Sequence, residues 1–395
     1  MGMPKGALQK QRFVGIDLVK ILACFLVVCI HFFLYTGFYA EPISENFGQP
    51  QIYFRWVAFL CVPLFMITTG YLMKNKTMSG KYYTGIIRVL VQYAIISVVC
   101  LIYNTKHFER EYTGWEIFSG FLNYSNAQYG WYVEYYICIF LIIPFLNLAY
   151  NGLKTQRQRG VLVIMVFALS ILSQSLFFGF DLETQTRVVP GYFLRCYPIA
   201  YYYIGAYIRD YPPKRTFSNK LYMICVFVVC LVFLSKTTYS QSLDNLENNY
   251  IMLSWHYNDY GAWPVAVCAT ALFLLVFDIT CSKPAVNKVI SIISQSTFAC
   301  YLISYVFDTS IYLTLCSTVP TVQERFQLGN MVPTILKIFG GAMVCGLVIQ
   351  MSYSMVEKAI KNRFVPASVP AEVTVPANNP PAKNAPQNKK QGKRK

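Results

Sequence analysis

Long runs of apolar residues dominate the 395-residue chain and limit what it can fold into. The runs are about 17 to 25 residues long, which is the length of an α-helix that crosses the hydrocarbon core of a bilayer. Only 13% of the residues are charged, about half the share that is usual in soluble domains. This composition excludes an ordinary soluble domain and a largely disordered chain. The sequence therefore predicts a multi-pass, all-α membrane protein.

We predict about ten membrane-spanning helices, which form one domain over residues 14–360. The predicted spans are 14–35, 52–73, 86–103, 130–150, 160–179, 190–208, 220–235, 261–280, 289–316 and 331–356. Trp and Tyr residues stand at several span ends, as Trp56, Trp131 and Tyr132 do. Such placement is typical of aromatic side chains at the membrane–water interface.

The distribution of Lys and Arg predicts which way these helices face. With the N-terminus in the cytoplasm, the cytoplasmic loops and tails hold 24 basic residues, and the opposite loops hold five. An excess of basic residues on the cytoplasmic side is the general rule for membrane proteins. We therefore expect both termini in the cytoplasm, with a short tail at 1–13 and a disordered basic tail at 361–395. The net charge of +16 is then chiefly a signal of topology in the cell membrane, and not of nucleic-acid binding.

The sequence argues against two other kinds of site. The chain has three His residues, and its 13 Cys residues form no closely spaced ligand pairs, so we predict no metal site. It also has no glycine-rich loop of the kind that holds nucleotide phosphates, which argues against a nucleotide-driven pump.

Ionisable side chains inside the predicted spans are the candidate functional residues, because charge in the membrane interior is costly. In the first span, Lys20 and His31 are eleven residues apart. This spacing places them on one helical face, about 16 Å apart along the axis. Lys20 is then near the cytoplasmic side and His31 near the outer side. As structural alternatives, Lys20 extends to the inner interface, or His31 is a hydrogen-bonded residue within the bundle.

The predicted depths of the other charges divide them into two sets. Arg88 lies with Asp17 and Lys20 in the inner half of the membrane. The outer half holds His31 together with Arg55, Glu134, Arg195, Asp308 and Lys337. Ion pairs such as Arg55 with Glu134 account for part of the outer set, or the set lines a polar cavity. We favour a cavity that opens to the outside.

These two sets suit a particular kind of ligand. An imidazole titrates near neutral pH and can take a proton from a hydroxyl group. A cationic inner end suits the phosphates of a cytoplasmic donor. A ligand that reaches both points needs a charged head and a long, thin arm that ends in a reactive group. Acyl-coenzyme A has this shape.

Five segments resemble the acyltransferase 3 family of membrane acyltransferases, which modify cell-envelope glycans and related molecules. The resemblance covers most of residues 12–360. Its segments are Lys20 to His31 with ten residues between them, Arg55 followed by VPLFMITTGYLM (62–73), GWYVEYYICIFLIIPFLN (130–147), YPIAYYYIGAYI (197–208) and STFACYLISYVFD (296–308). Two positions depart from the family pattern. Gly85 replaces the first residue of an R-x-x-R pair that ends at Arg88, and Ser304 stands where many relatives have His.

The resemblance implies that His31 is essential for acyl transfer and that Lys20 helps to hold acyl-CoA. We expect the phosphates of acyl-CoA near Lys20 and Arg88, with acetyl as the favoured acyl group and succinyl as the main alternative. His31 then acts as a general base on a hydroxyl of an envelope glycan or a lipid-linked sugar, or forms a transient acyl-His.

Six further residues complete the predicted site. Arg55 or Arg195 is expected to stabilise the developing oxyanion. Glu134 or Asp308 is expected to orient His31 or the sugar. Two aromatic residues at the start of the fourth span are expected to contact substrate, Trp131 and Tyr132.

A secondary transporter or flippase for an envelope precursor is the main alternative, with His31 and Asp308 as a proton relay. Intramembrane charges are equally typical of that class. The sequence has no clear internal repeat of the kind that many transporters show. A third hypothesis is a non-catalytic membrane partner of an envelope synthase.

Overall fold

The computed structural model of the protein shows an all-α fold. It describes residues 14–44, 47–175, 189–244, 251 and 257–364, and within these ranges no β-strand forms. The predicted N-terminal tail at 1–13 lies outside the described residues. The predicted disordered tail at 361–395 lies outside them from residue 365 onward, whereas residues 361–364 form the end of a helix. The residues up to Tyr353 belong to one compact unit.

The described residues form sixteen α-helices. They are α1 (Val14–Tyr35), α2 (Gln49–Phe59), α3 (Cys61–Met73), α4 (Gly80–Tyr83), α5 (Ile86–His107), α6 (Gly114–Leu122), α7 (Trp131–Gly152), α8 (Gln156–Phe167), α9 (Ser173–Ser175), α10 (Gly191–Leu194), α11 (Tyr197–Asp210), α12 (Phe217–Asp244), α13 (Trp263–Val276), α14 (Pro284–Thr318), α15 (Val322–Arg325) and α16 (Leu328–Phe364). A 3-10 turn at Phe38–Ala40 follows α1, and a π-helical turn at Ala168–Leu172 follows α8.

Seven helical segments of the described chain are long and apolar enough to cross a membrane. They are Val14–Ala40, Gln49–Met73, Gly80–His107, Trp131–Gly152, Phe217–Asp244, Pro284–Thr318 and Leu328–Ile360. These coincide with the first four predicted spans and with the seventh, ninth and tenth. The protein is therefore a multi-pass, all-helical membrane protein.

Shorter helices occupy the other three predicted spans, namely α8 with the turn after it, α11 and α13. α11 and α13 have 14 residues each. At 1.5 Å per residue such a helix is about 21 Å long, which is less than the roughly 30 Å of hydrocarbon. The count of ten spans and the cytoplasmic position of both termini stay predictions.

α1 lies inside the helix bundle, where it packs against α2, α3, α13 and α14. Side chains on several sides of α1 are fully buried, among them Ala23, Cys29, Phe32 and Phe33. A helix satisfies its own backbone hydrogen bonds, so it can be buried among other helices within a membrane. The side chains of Lys20 and His31 are consequently partly buried against other helices.

α3 and α11 approach each other closely at two glycines. A Cβ atom added to Gly70 would lie 2.0 Å from the backbone oxygen of Tyr202, and one added to Gly205 would lie 2.0 Å from that of Ile67. Small residues that let helix backbones approach are typical of packing within membranes. This contact fixes the position of α3, whose residues line the cavity described below.

Candidate functional site

His31 on α1 and Asp308 on α14 form a buried hydrogen bond. The Nδ1 atom of His31 lies 2.9 Å from the Oδ2 atom of Asp308. The Asp308 side chain is completely buried and that of His31 is 12% exposed. An ionised Asp308 can only accept hydrogen bonds; in that state Nδ1 carries the proton, and Nε2 of the neutral imidazole is left as the proton acceptor. A carboxylate orients the histidine in the same way in enzymes that use it as a general base.

Tyr129 is a third member of this cluster, and the sequence analysis did not single it out. Its hydroxyl donates a hydrogen bond of 2.6 Å to Oδ2 of Asp308, and its ring lies on the His31 imidazole with the ring centroids 3.9 Å apart. Burial and the nearby Asp308 carboxylate raise the pKa of the Tyr129 hydroxyl well above its ordinary value of 10.0. The hydroxyl therefore keeps its proton and remains a donor.

A second contact joins α1 to α14 near the start of both helices. The Nζ atom of Lys20 donates to the backbone oxygen of Ser294 at 2.7 Å, and the Ser294 hydroxyl donates to Oδ1 of Asp17 at 2.7 Å. Lys20 contacts Ser294, and His31, further along α1, contacts Asp308, further along α14. The two helices therefore run parallel. Lys20 and His31 therefore lie on the face of α1 that meets α14.

A cavity of about 320 Å³ lies beside Lys20. Residues of α1, α3, α5, α7, α14 and α16 line it, namely Lys20, Phe65, Thr68, Thr69, Leu72, Met73, Arg88, Val89, Gln92, Tyr132, Tyr136, Gln295, Thr297, Phe298, Tyr301 and Gln350. Three of the predicted substrate-binding residues are in this set: Lys20, Arg88 and Tyr132. The lining also supplies amide and hydroxyl groups, from three Gln and three Thr residues, beside apolar side chains. We call it the Lys20 cavity.

Tyr301 links the Lys20 cavity to the His31–Asp308 pair. It lines the cavity, and its hydroxyl donates to the backbone oxygen of Tyr129. On α14, Tyr301 is seven residues from Ser294 and seven from Asp308, so the three share one helical face. Lys20, the cavity, Tyr301 and the His31–Asp308 pair therefore follow one another along the interface of α1 and α14.

Arg55 is buried, with an exposed fraction of 2%, and its partners differ from the expected ones. Its Nε atom donates to the Tyr39 hydroxyl at 3.3 Å, and its Nη2 atom donates to Oδ1 of Asn258. The ion pair with Glu134, which the sequence left open as an alternative to a polar cavity, is absent among the described residues, and Glu134 is exposed at the start of α7. No contact described for Arg55 involves His31.

The structure leaves three of the predicted site residues at the surface. Glu134 and Arg195 are exposed, and Trp131 is 41% exposed. The Trp131 ring lies nearly parallel to that of Tyr260, with centroids 6.0 Å apart. Thus His31 and Asp308 are in direct contact, and Lys20, Arg88 and Tyr132 meet at the cavity, whereas Glu134, Arg195 and Trp131 lie apart from both groups.

Possible metal ligands do not cluster in the described part of the chain. Within the ranges given above, no group of three or more His, Cys, Asp and Glu side chains is placed to hold a metal ion. The functional groups at the site are the imidazole of His31, the carboxylate of Asp308 and the phenol of Tyr129. Lys20 and Arg88 add two cations at the cavity.

The fold and this site define a class: a multi-helix membrane protein with a buried imidazole–carboxylate pair beside a cation-lined cavity. A family model described as an acyltransferase domain matches residues 13–351. The chain therefore belongs to the acyltransferase 3 family and is a membrane acyltransferase. Neither the curated proteins nor the solved structures gave a match to it.

Proposed function

We propose that the protein transfers an acyl group, most simply acetyl, from acyl-CoA to a hydroxyl of an extracytoplasmic or lipid-linked glycan in the cell membrane. The observation that carries this proposal is the 2.9 Å contact between Nδ1 of His31 and Oδ2 of Asp308. It leaves Nε2 of a neutral imidazole free to accept a proton, as a general base must. Membership of an acyltransferase family then gives the reaction class.

The donor would bind with its phosphates near Lys20 and Arg88 and with its arm in the Lys20 cavity. Both residues are cationic and line this cavity. Its volume of about 320 Å³ is at the lower end of the range for ligand pockets, about 300–1,000 Å³, and so suits part of the donor. The amide and hydroxyl groups of the lining match the amides of the pantetheine arm, which both donate and accept hydrogen bonds.

The proposed chemical step uses the Nε2 atom of His31. This atom takes the proton of the acceptor hydroxyl while the hydroxyl oxygen attacks the thioester carbonyl carbon. The carbon–sulfur bond then breaks, and the imidazolium returns the proton to the departing thiolate, so that an ester and free coenzyme A result. Asp308 stabilises the imidazolium, and Tyr129 holds Asp308 in place by a hydrogen bond to the same carboxylate oxygen.

The direction of the reaction follows from the predicted topology. Lys20 would face the cytoplasm, where acyl-CoA is made, and His31 would lie about 16 Å further along α1, toward the acceptor. The exposed start of α7, with Trp131 and Glu134, lies next to Tyr129 in the chain and is a suitable place for the acceptor to approach. Arg195 is exposed near the start of α11, and we assign it no part in the chemical step.

Membrane vesicles with the cytoplasmic face outward test this proposal. They are incubated with acetyl-CoA labelled in the acetyl group, and label is measured in the envelope glycan or in an acceptor enclosed in the vesicle lumen. We expect transfer with the wild-type chain and none with His31→Ala at equal expression. Ser304→Ala is the matched control, because the Ser304 hydroxyl is buried on α14 and donates to the backbone of its own helix. Acceptor movement across the membrane without label transfer would instead identify a transporter.

A further inference from the structure

We infer that Arg55 is a binding site for an oxyanion, a carboxylate or a phosphate, that belongs to the acceptor. That this anion belongs to an acceptor rests on the proposed function, whereas binding of the anion itself does not depend on acyl transfer.

The guanidinium of Arg55 has an unused donor in a buried place. Arg55 is 2% exposed, and its buried Nη1 atom has no hydrogen-bond partner among the residues that the structure describes. Buried polar groups are nearly always hydrogen-bonded, because a buried donor without a partner loses its interaction with water and gains nothing in return. A donor that the described residues leave open is able to bind a ligand.

The described residues do not compensate the charge of Arg55 either. Among the described residues, no carboxylate lies within ion-pair distance of it. The guanidinium carbon is 4.4 Å from the ring centroid of Trp56 and 4.3 Å from that of Phe59, and such rings attract a cation. They carry no formal charge, however, and neither do Tyr39 and Asn258. A buried cation in these surroundings favours an anionic ligand.

An exposed residue separates the buried guanidinium of Arg55 from the surface. Asn258, which accepts from Nη2, is itself exposed. The adjacent carboxylate of Asp259 is directed elsewhere, since its Oδ1 atom accepts from the Gly261 backbone N–H at 2.6 Å. A carboxylate or phosphate that replaces the Asn258 amide would bind Nη1 and Nη2 together, in the two-point geometry for which a guanidinium is suited.

An aromatic stack connects this position to the start of α7. Phe59, which contacts the Arg55 guanidinium, is stacked on Tyr260 with centroids 4.4 Å apart, and Tyr260 is stacked on Trp131. Trp131 follows Tyr129, the residue that contacts both His31 and Asp308, by two positions. An acceptor anchored at Arg55 would therefore bind at the end of the bundle where the His31–Asp308 pair lies.

Thermal unfolding of the full-length protein in detergent measures the binding directly. The probes are glucuronate against glucose, and glycerol phosphate against glycerol, all at constant ionic strength. We expect one anionic probe to raise the unfolding temperature while its neutral counterpart does not. The probe that acts tells whether the site prefers a carboxylate or a phosphate. In phospholipid nanodiscs, loss of the response when phosphatidylglycerol replaces phosphatidylcholine would show that a lipid headgroup supplies the anion and overturn the acceptor as its source.

Two variants test the assignment to Arg55. Arg55→Gln removes the cation, and Asn258→Asp keeps the cation but places a carboxylate beside it. In either variant, we expect that at least about tenfold more anionic probe is needed to produce the same rise in unfolding temperature as in the wild-type protein. Asn258→Ser, which adds no charge, is the matched control and should keep the response.

The outcomes separate this inference from the proposed function. Equal shifts with glucuronate and glucose and with the phosphate pair, or an unchanged response in Asn258→Asp, would overturn the anion site. Asn258→Asp serves even if Arg55→Gln does not fold, because it retains the guanidinium. A wild-type protein that binds the anion but transfers no acyl group would overturn the proposed function alone. Acyl transfer without any anion response would overturn the anion site alone.

Discussion

The Nδ1 atom of His31 lies 2.9 Å from Oδ2 of Asp308, although 277 positions of the chain separate the two residues. The contact depends on the parallel packing of α1 and α14, which are also joined through Lys20 and Ser294 near their first turns. Extensive packing of α1 on α14 holds the two helices in this arrangement. The position of the imidazole is thus set by helix packing and not by a mobile loop.

Replacement of Asp308 by Asn tests the orientation of the imidazole. The amide has almost the same shape, but it has no charge to stabilise the imidazolium, and its NH₂ group favours the wrong tautomer of His31. We expect kcat for acetyl transfer to fall by about 10³- to 10⁴-fold, with little change in the KM for acyl-CoA. Initial rates with labelled acetyl-CoA measure both. A variant that keeps more than a tenth of the wild-type kcat would show that Asp308 does not act through His31.

Tyr129→Phe tests the second hydrogen bond to Asp308. The phenylalanine keeps the ring on His31 but loses a donor to a buried carboxylate, a bond that is worth about 1.5–3 kcal/mol. We expect kcat to fall by about 10- to 100-fold. Tyr305→Phe is the matched control, because the Tyr305 ring also packs on Tyr129, at 5.7 Å, while its hydroxyl donates to Asn104. Equal losses in the two variants would point to packing and not to the Asp308 hydrogen bond.

The sequence predicted the depth of a side chain in the membrane better than the neighbours that the side chain faces. The rise of a helix is regular, so the spacing of Lys20 and His31 was sufficient to predict that both lie on one face of α1. Asp308 was predicted at the depth of His31, and the two are in contact. Arg55 and Glu134 were also expected at one depth, but their helices turn these side chains to different neighbours. Which helices are adjacent depends on packing between distant segments, and a single sequence contains no direct signal of it.

Two other features escaped the sequence analysis for related reasons. Tyr129 is one of 31 Tyr residues, and nothing marks it except its place before the Gly130–Trp131–Tyr132 motif. Hydropathy predicted spans at 190–208 and 261–280, but it did not indicate that the helices there, α11 and α13, have only 14 residues each.

Lys20→Met is expected to weaken donor binding while the chemical step is kept. The substitution preserves the apolar stem and removes the ammonium group beside the cavity. We expect the KM for acyl-CoA to rise about tenfold, with kcat changed by less than about threefold, since one charge-assisted contact contributes roughly this much. Lys337→Met is the control, because Lys337 is exposed on α16. If the two variants have the same KM, the donor phosphates do not bind at Lys20.

Cysteine labelling tests the predicted topology. Gln323 and Arg157 are both exposed and are predicted on opposite sides of the membrane. The background replaces by Ser the cysteines that are not buried, namely Cys138, Cys196, Cys225, Cys281, Cys316 and Cys345. In it, a membrane-impermeant maleimide added to intact cells should label Gln323→Cys. Arg157→Cys should be labelled only after the membrane is opened. Labelling of both positions from outside would contradict ten spans with cytoplasmic termini. It would then be open which end of α1 faces the cytoplasm and its acyl-CoA.

Gly205→Ala tests whether the close approach of α3 and α11 supports the cavity. The added methyl group would lie 2.0 Å from the backbone oxygen of Ile67, so the two helices must separate, at a cost of about 1–3 kcal/mol for overpacking. Gly340→Ala is the matched control, because nothing lies within 4 Å of a Cβ atom at that position of α16. We expect a lower unfolding temperature in detergent and a raised KM for acyl-CoA for Gly205→Ala only, since α3 supplies Thr68 and Thr69 to the cavity. A lower unfolding temperature with an unchanged KM would mean that this contact stabilises the fold without shaping the donor site.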